Sequence, residues 1–205
     1  MKTIVFDTET TKLPFIRPWA KPHIVQLSYI VITHNVKLDN VKLVDNVIAL
    51  PEDIDLPESS VAIHGVTRLK MREFGVPIEQ ALHQFQNDMS GCELVICHNY
   101  DFDVEMLTLE GNRCNIDMSG VNSIPSFCTM QDLTHICKLP RKGTFEFKYP
   151  TLAELHNHFF HTIPHGLHNS LADSILCYRC FMMYSEGIDI IDWDSPIRPH
   201  LLQLV

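Results

Sequence analysis

Thr3-Ile4-Val5-Phe6-Asp7-Thr8-Glu9-Thr10-Thr11 opens as an apolar, β-branched run and ends in acids. The run Ile4-Val5-Phe6 predicts a buried strand. Side chains alternate along a strand, so Asp7 and Glu9 project from the same face. A strand that buries three large apolar residues gains nothing structural from paired acids at its end. At about 6 Å, two such charges repel by roughly 3 kcal/mol at an effective dielectric near 20. A bound cation turns that repulsion into attraction, whereas a solvated strand end merely tolerates it. On these residues alone both readings stand.

The 205 residues are 45% apolar, enough for one compact α/β domain. Charged residues make up 20%, which argues against long disordered stretches. The formal charge of −9 does not suit a protein that grips a long duplex by its phosphates. It does not exclude a short nucleic-acid end as substrate, if cations neutralise the carboxylates. The seven cysteines are irregularly spaced, and Met1-Lys2-Thr3 leads straight into the strand without a secretory apolar segment. The expectation is reduced thiols in an intracellular, cytoplasmic protein. Cys177-x-x-Cys180 reads as a buried helical pair rather than half a zinc site, and no apolar run has the length of a membrane span.

Outward from the first strand, Lys12 to Pro22 carries Pro14, Pro18 and Pro22 and predicts a loop. Ile24 to Ile32 and Lys42 to Leu50 read as strands, with Asn35 and Asp39-Asn40 marking the turn between them. Three strands with short links predict an antiparallel meander. Ser59 to Thr67 reads as a short capped helix ended by Gly65. Pro77 opens a helix over Ile78 to Met89, and Glu93 to Cys97 is a short buried strand. A helix over about Phe102 to Leu109 stops near Gly111. Pro125 to Met130 predicts a strand, Gln131 to Leu139 a helix and Arg141 to Pro150 a loop with Arg141, Lys142 and Lys148. Thr151 and Glu154 form a capping box for a helix to Phe160, His161 to Leu167 is a loop, and Asn169 to Ser185 is a long helix. The pattern predicts a mixed sheet flanked by helices. Residues 1–186 read as one domain, and 187–205 as a tail with no assigned role.

Three further residues bear on the paired acids. Alone, Asp103 is an ordinary acid at a helix start. Asp173 falls beside the apolar residues Ala172, Ile175 and Leu176, where an unpaired acid is rare. His168 alone would be a cap or surface residue. Together, Asp7, Glu9, Asp103 and Asp173 form a set able to hold two divalent cations with one histidine as base. All-carboxylate ligation favours Mg²⁺ or Mn²⁺ over zinc.

Phe6-Asp7-Thr8-Glu9-Thr10, His98-Asn99-x-x-Phe102-Asp103 and His168-x-x-x-x-Asp173 resemble, in order, the three motifs of the DEDDh 3′→5′ exonucleases. Ile63-His64-Gly65-Val66-Thr67 and Tyr149-Pro150-Thr151-Leu152-Ala153-Glu154-Leu155 resemble the family as well, and the likeness covers about Lys2 to Tyr184. It implies a ribonuclease-H-like fold with a central five-stranded sheet. It also implies that Asp7, Glu9, Asp103 and Asp173 are the metal ligands and His168 the general base. By the same resemblance Glu9, Thr10, His64, Asn99 and Phe102 are contacts to the terminal nucleotide. No tyrosine stands five residues before Asp173, which disfavours the sister class that uses one. Ser170 stands where the family often has alanine.

The function expected is metal-dependent 3′→5′ exonuclease action on single-stranded DNA or RNA, releasing nucleoside 5′-monophosphates. The cofactors expected are two Mg²⁺ (or Mn²⁺) ions. Proofreading or DNA repair would require a polymerase on a separate chain. A nucleic-acid-binding protein that has lost catalysis is the reading from another class, and the intact acid set argues against it. An endonuclease or transferase on the same broad fold is separated by product size.

Overall fold

The computed structural model describes residues 1–12, 21–33 and 41–205. Most of the proline-rich loop and the turn at Asn35 and Asp39-Asn40 lie outside these residues.

Strand β1 (Lys2–Thr10) is the centre of a mixed five-stranded sheet of order β3-β2-β1-β4-β5. β2 (Ile24–Thr33) runs antiparallel to it, and β3 (Val41–Val47) antiparallel to β2. β4 (Leu94–Cys97) and β5 (Ser126–Cys128) continue the sheet in parallel on the other side. The central place of β1 explains its continuous apolar run, since both of its faces are covered.

Helices close the two faces. On one side α3 (Ile78–Met89) and α4 (Tyr100–Cys114) pack Leu82, Phe85 and Leu107 against Ile4 and Phe6 of β1. On the other, α7 (Leu152–Phe160) and α8 (Ser170–Glu186) pack Leu155, Ile175 and Leu176 against Val5. Even-numbered residues of β1 therefore serve the α4 layer and odd-numbered ones the α8 layer. That alternation decides where the acids go.

The expected meander, the capping box of Thr151 and Glu154, and the buried Cys177–Cys180 pair are all present, and all seven cysteines are free. Several boundaries differ. β3 ends at Val47, because Ile48 and Ala49 turn to pair with Val76. α1 (Glu58–His64) starts after Pro57 with no side-chain cap, so Ser59 lies inside the helix rather than capping it. Helix α2 (Arg68–Phe74), capped by Thr67, was not expected. Gly111 does not stop α4: a Cβ there would lie 2.5 Å from the Ile116 carbonyl, so glycine serves close approach. Asn115, at φ 57°, is the actual cap. The strand expected to Met130 ends at Cys128, where Asp132 folds back to accept from the Cys128 amide at 2.8 Å. The single helix expected over Gln131 to Leu139 is therefore two turns, α5 (Thr129–Asp132) and α6 (Thr134–Cys137). The tail folds onto α8: Asp189 pairs with Arg179 at 2.6 Å, and Ile190, Ile197 and Leu201 are buried, the last in α9 (Arg198–Leu204).

Candidate active site

Asp7 and Glu9 leave β1 on its α8 side. Opposite them on β2 stand Ser28 and Gln26. These two polar residues fix the start of α8. Gln26 Oε1 accepts from the Ser170 amide at 3.3 Å, and Ser170 Oγ donates to Ser28 Oγ at 2.6 Å. Gln26 and Ser28 in turn both donate to Asp45 Oδ1 on β3 at 2.7 Å. This row across β2 and β3 holds the first turn of α8, and Asp173 lies in that turn.

Asp103 comes from the opposite layer. It lies in the first turn of α4 and is 1% exposed. Its Oδ1 accepts from both the Thr8 amide at 3.0 Å and the Thr8 hydroxyl at 2.8 Å. Thr8 was not singled out from the sequence, although it stands between the two acids. Its even position turns its side chain toward α4, and that alternation was the available signal.

The loop before α8 carries His168, exposed and at φ 65°. Its amide donates to Asp173 Oδ2 at 3.0 Å, while Asp173 Oδ1 is buried without a partner among the described residues. One ligand atom each from Glu9, His168 and Asp173 lie within 4.8 Å of one another. Asp7 and Asp103 fall outside that triple. The loop is braced by the tail: the His165 amide donates to the Leu204 carbonyl at 2.7 Å, and a Cβ on Gly166 would come within 3.0 Å of Leu204 Cδ2.

The electrostatics show strained carboxylates. Burial, then Asp103, Asp173 and Glu9, raise Asp7 well above the usual range. Burial and then Asp173 push Glu9 up to about 8. Burial lifts Asp173 to about 7 against the lowering bond from His168. Asp103 is also raised, by burial first, although its bonds from Thr8 oppose this. Acids forced to hold protons near neutrality are a poor structural device. A divalent cation would relieve both the repulsion and the bare Asp173 oxygen, and the carboxylates would supply its oxygen donors. The residues present fit such ions.

Beside the acids, Glu9, Thr10, Lys12, Ser60, Ile63, His64 and His168 line a cleft of about 240 Å³. His64 Nδ1 accepts from the Val66 amide at 3.0 Å, so its buried Nε2, without a partner among the described residues, carries the proton. The Thr10 hydroxyl donates to the Lys12 carbonyl at 3.0 Å. Asn99 and Phe102 do not line this cleft: Asn99 is the left-handed residue before α4 and Phe102 packs on the α4-side core. Ser60 and Lys12 are lining residues that no sequence pattern marked.

No curated protein matches the chain in sequence. Among solved structures, exonuclease I superposes with a TM-score of 0.71 at 14% identity, over 91% of this chain and 41% of that one. E. coli exonuclease I in complex with a dA16 oligonucleotide gives 0.68 at 14% identity, with the same coverage. The nuclease domain of 3′hExo, a DEDDh family member bound to rAMP, gives 0.65 at 13% identity over 92% of this chain and 94% of that one. The likenesses place the fold among the ribonuclease-H-like exonucleases, and the chain spans about two-fifths of the length of exonuclease I. The RNase_T exonuclease family model matches residues 4–181, from the first strand to deep within α8. On the extent of that match, this chain belongs to the RNase_T exonuclease family.

Proposed function

We propose that the chain is a metal-dependent exonuclease releasing nucleoside 5′-monophosphates from single-stranded 3′ ends of DNA or RNA. The observation that carries this reading is the convergence of acids from both helical layers on one strand end, with the Asp173 oxygen left bare. Asp7, Glu9, Asp103 and Asp173 would hold two Mg²⁺ (or Mn²⁺) ions, which when bound supply an activated water and a stabilised leaving oxygen. His168 takes the proton of the attacking water, and an exposed loop lets the ring follow the substrate. The terminal nucleotide sits in the cleft beside Glu9. There the exposed Ile63 offers an apolar face to its base and His64 Nε2 a donor. Thr10 contributes from the cleft wall, and Asn99 and Phe102 from the head of α4 beside Asp103. Residues 1–186 form the catalytic unit, and 187–205 brace the His168 loop. In proofreading or repair, a separate polymerase chain would present the end.

Single-stranded DNA, duplex DNA and RNA, labelled at the 5′ end, test this side by side with Mg²⁺ and with EDTA. The expected result is stepwise shortening from the 3′ end of the single strands, with mononucleotide products, stopped by EDTA. Internal fragments, or cleavage that survives EDTA, would contradict it.

A further inference from the structure

Between α6 and α7 the chain forms a small hairpin that neither core explains. Pro140 and Phe147 pair in an antiparallel bridge, and the Arg141 amide donates to the Glu146 carbonyl at 3.1 Å. Gly143, at φ 81°, makes the turn. The hairpin carries Phe145, Phe147 and Tyr149 at alternate positions. They are 109%, 45% and 59% exposed. Single exposed apolar residues are ordinary, but three aromatic rings along one short segment make a patch.

Cations interleave with the rings. Arg141 pairs with Glu146 at 3.2 Å and Lys148 with Glu154 at 2.5 Å, and Lys142 stands at the turn. Exposed pairs such as Arg141–Glu146 contribute little, so the guanidinium can exchange its carboxylate for a phosphate at small cost. Arg141, Phe147, Lys148 and Tyr149, with Glu146, line a cleft of about 400 Å³. The hairpin also stands at the right place. Its return arm ends at Pro150, beside His98. His98 follows β4 directly and leads into α4, which carries Asp103 in its first turn.

We propose that Phe145, Phe147 and Tyr149 form a stacking platform for the bases of a single strand whose 3′ end lies in the acid site. Arg141 and Lys142 would accompany its phosphates. This rests on the reading of the site as one that acts on single-stranded ends. Every base has a π-face, so such a platform holds a strand without choosing its sequence. A duplex keeps its bases stacked inside and could not use it.

Two measurements in EDTA, where nothing is cut, test the platform. The first is the affinity for a labelled 16-nucleotide single strand. A Phe145→Ala, Phe147→Ala, Tyr149→Ala variant should bind it more weakly by at least about fivefold for each stacked base lost. The matching triple Leu variant keeps apolar area without a π-face and should lose as much, while Trp at the same positions should restore binding. The second is photo-cross-linking with 5-iodouracil placed singly along the strand, which should label the peptide containing residues 141–149. Affinities within about twofold of wild type for the Ala variant, wild-type binding by the Leu variant, or cross-links only elsewhere would overturn the platform. So would a wild-type dimer that the Ala variant dissociates, since the patch would then join two copies of the chain. Failure of the functional reading looks different: wild type would release no mononucleotide from any end in Mg²⁺, while the weakened binding and the cross-link would persist.

Discussion

The two helical layers deliver their acids to the site in opposite ways. On the α4 side, Asp103 is almost wholly buried, and one of its oxygens takes both donors of Thr8. On the α8 side, Asp173 takes only the amide of an exposed, left-handed His168 and leaves its other oxygen bare. The core fixes the first directly. The second depends on a polar row through Gln26, Ser28 and Asp45 and on a tail helix behind the loop. Under the proposed roles the contrast fits a division of labour, with Asp103 anchored by packing and the base on a segment that can adjust.

The largest effect expected is loss of catalysis in Asp7→Ala, which empties the strand-end position that both layers face. Mn²⁺ affinity by calorimetry should fall with it, and unchanged turnover would refute the assignment. Next is Thr8→Val, which removes the hydroxyl donor to Asp103 and keeps the shape. Supporting hydrogen bonds of this kind are worth about 10- to 100-fold in metal affinity or activity. If Mn²⁺ affinity were unchanged, the α4 side would not be anchored as described.

The metal-free protein gives a third, smaller effect. Glu9 at about 8 and Asp173 at about 7 are raised above ordinary carboxylates. The fold therefore binds more protons than the unfolded chain, and its stability falls as pH rises toward about 8. The lowered acids Glu110, Glu154 and Asp189 are ionised throughout this window, whereas His64, His98 and His156, held neutral by burial, act in the opposite direction below about pH 6.5. In EDTA the Tm should be lower at about pH 8 than at about pH 7, above the range in which those histidines titrate, and Mg²⁺ should raise it most at the higher pH. A flat profile would show that burial and the neighbouring charges do not hold these acids above their ordinary range. Smallest is Ser170→Ala. It removes one buried bond to Ser28 and should cost about 1 kcal/mol of stability in denaturant melts. A loss larger than that of Thr8→Val would invert the comparison between the layers.

Much of this was legible in the chain. The step from Ile4-Val5-Phe6 to Asp7 and Glu9 marks the central strand and its active end, because burial and alternation are local properties. What stayed hidden depends on contacts distant in sequence. Thr8 meets Asp103 across 95 positions, and Gln26 meets Ser170 across 144. Gly111 looks like a stop, yet α4 runs through it to Cys114, and the Ile116 carbonyl of the turn beyond lies where a Cβ would be. α2 offers only Leu69, Met71 and Phe74, with just Met71 buried, too thin a stripe for periodicity to find. The tail gains its place from the face of α8 that it covers, which its own composition does not encode.

The most direct test separates the proton carrier from the ligands in one variant. His168→Ala should bind Mn²⁺ with nearly wild-type affinity by calorimetry, since the carboxylates remain. Its turnover on a single-stranded oligonucleotide should fall by about 10² to 10⁴, the span of a lost general base. If His168→Ala instead lost its metals and cut normally at saturating Mn²⁺, the histidine would be a ligand or a prop, and the division between anchored acids and an adjustable base would be wrong.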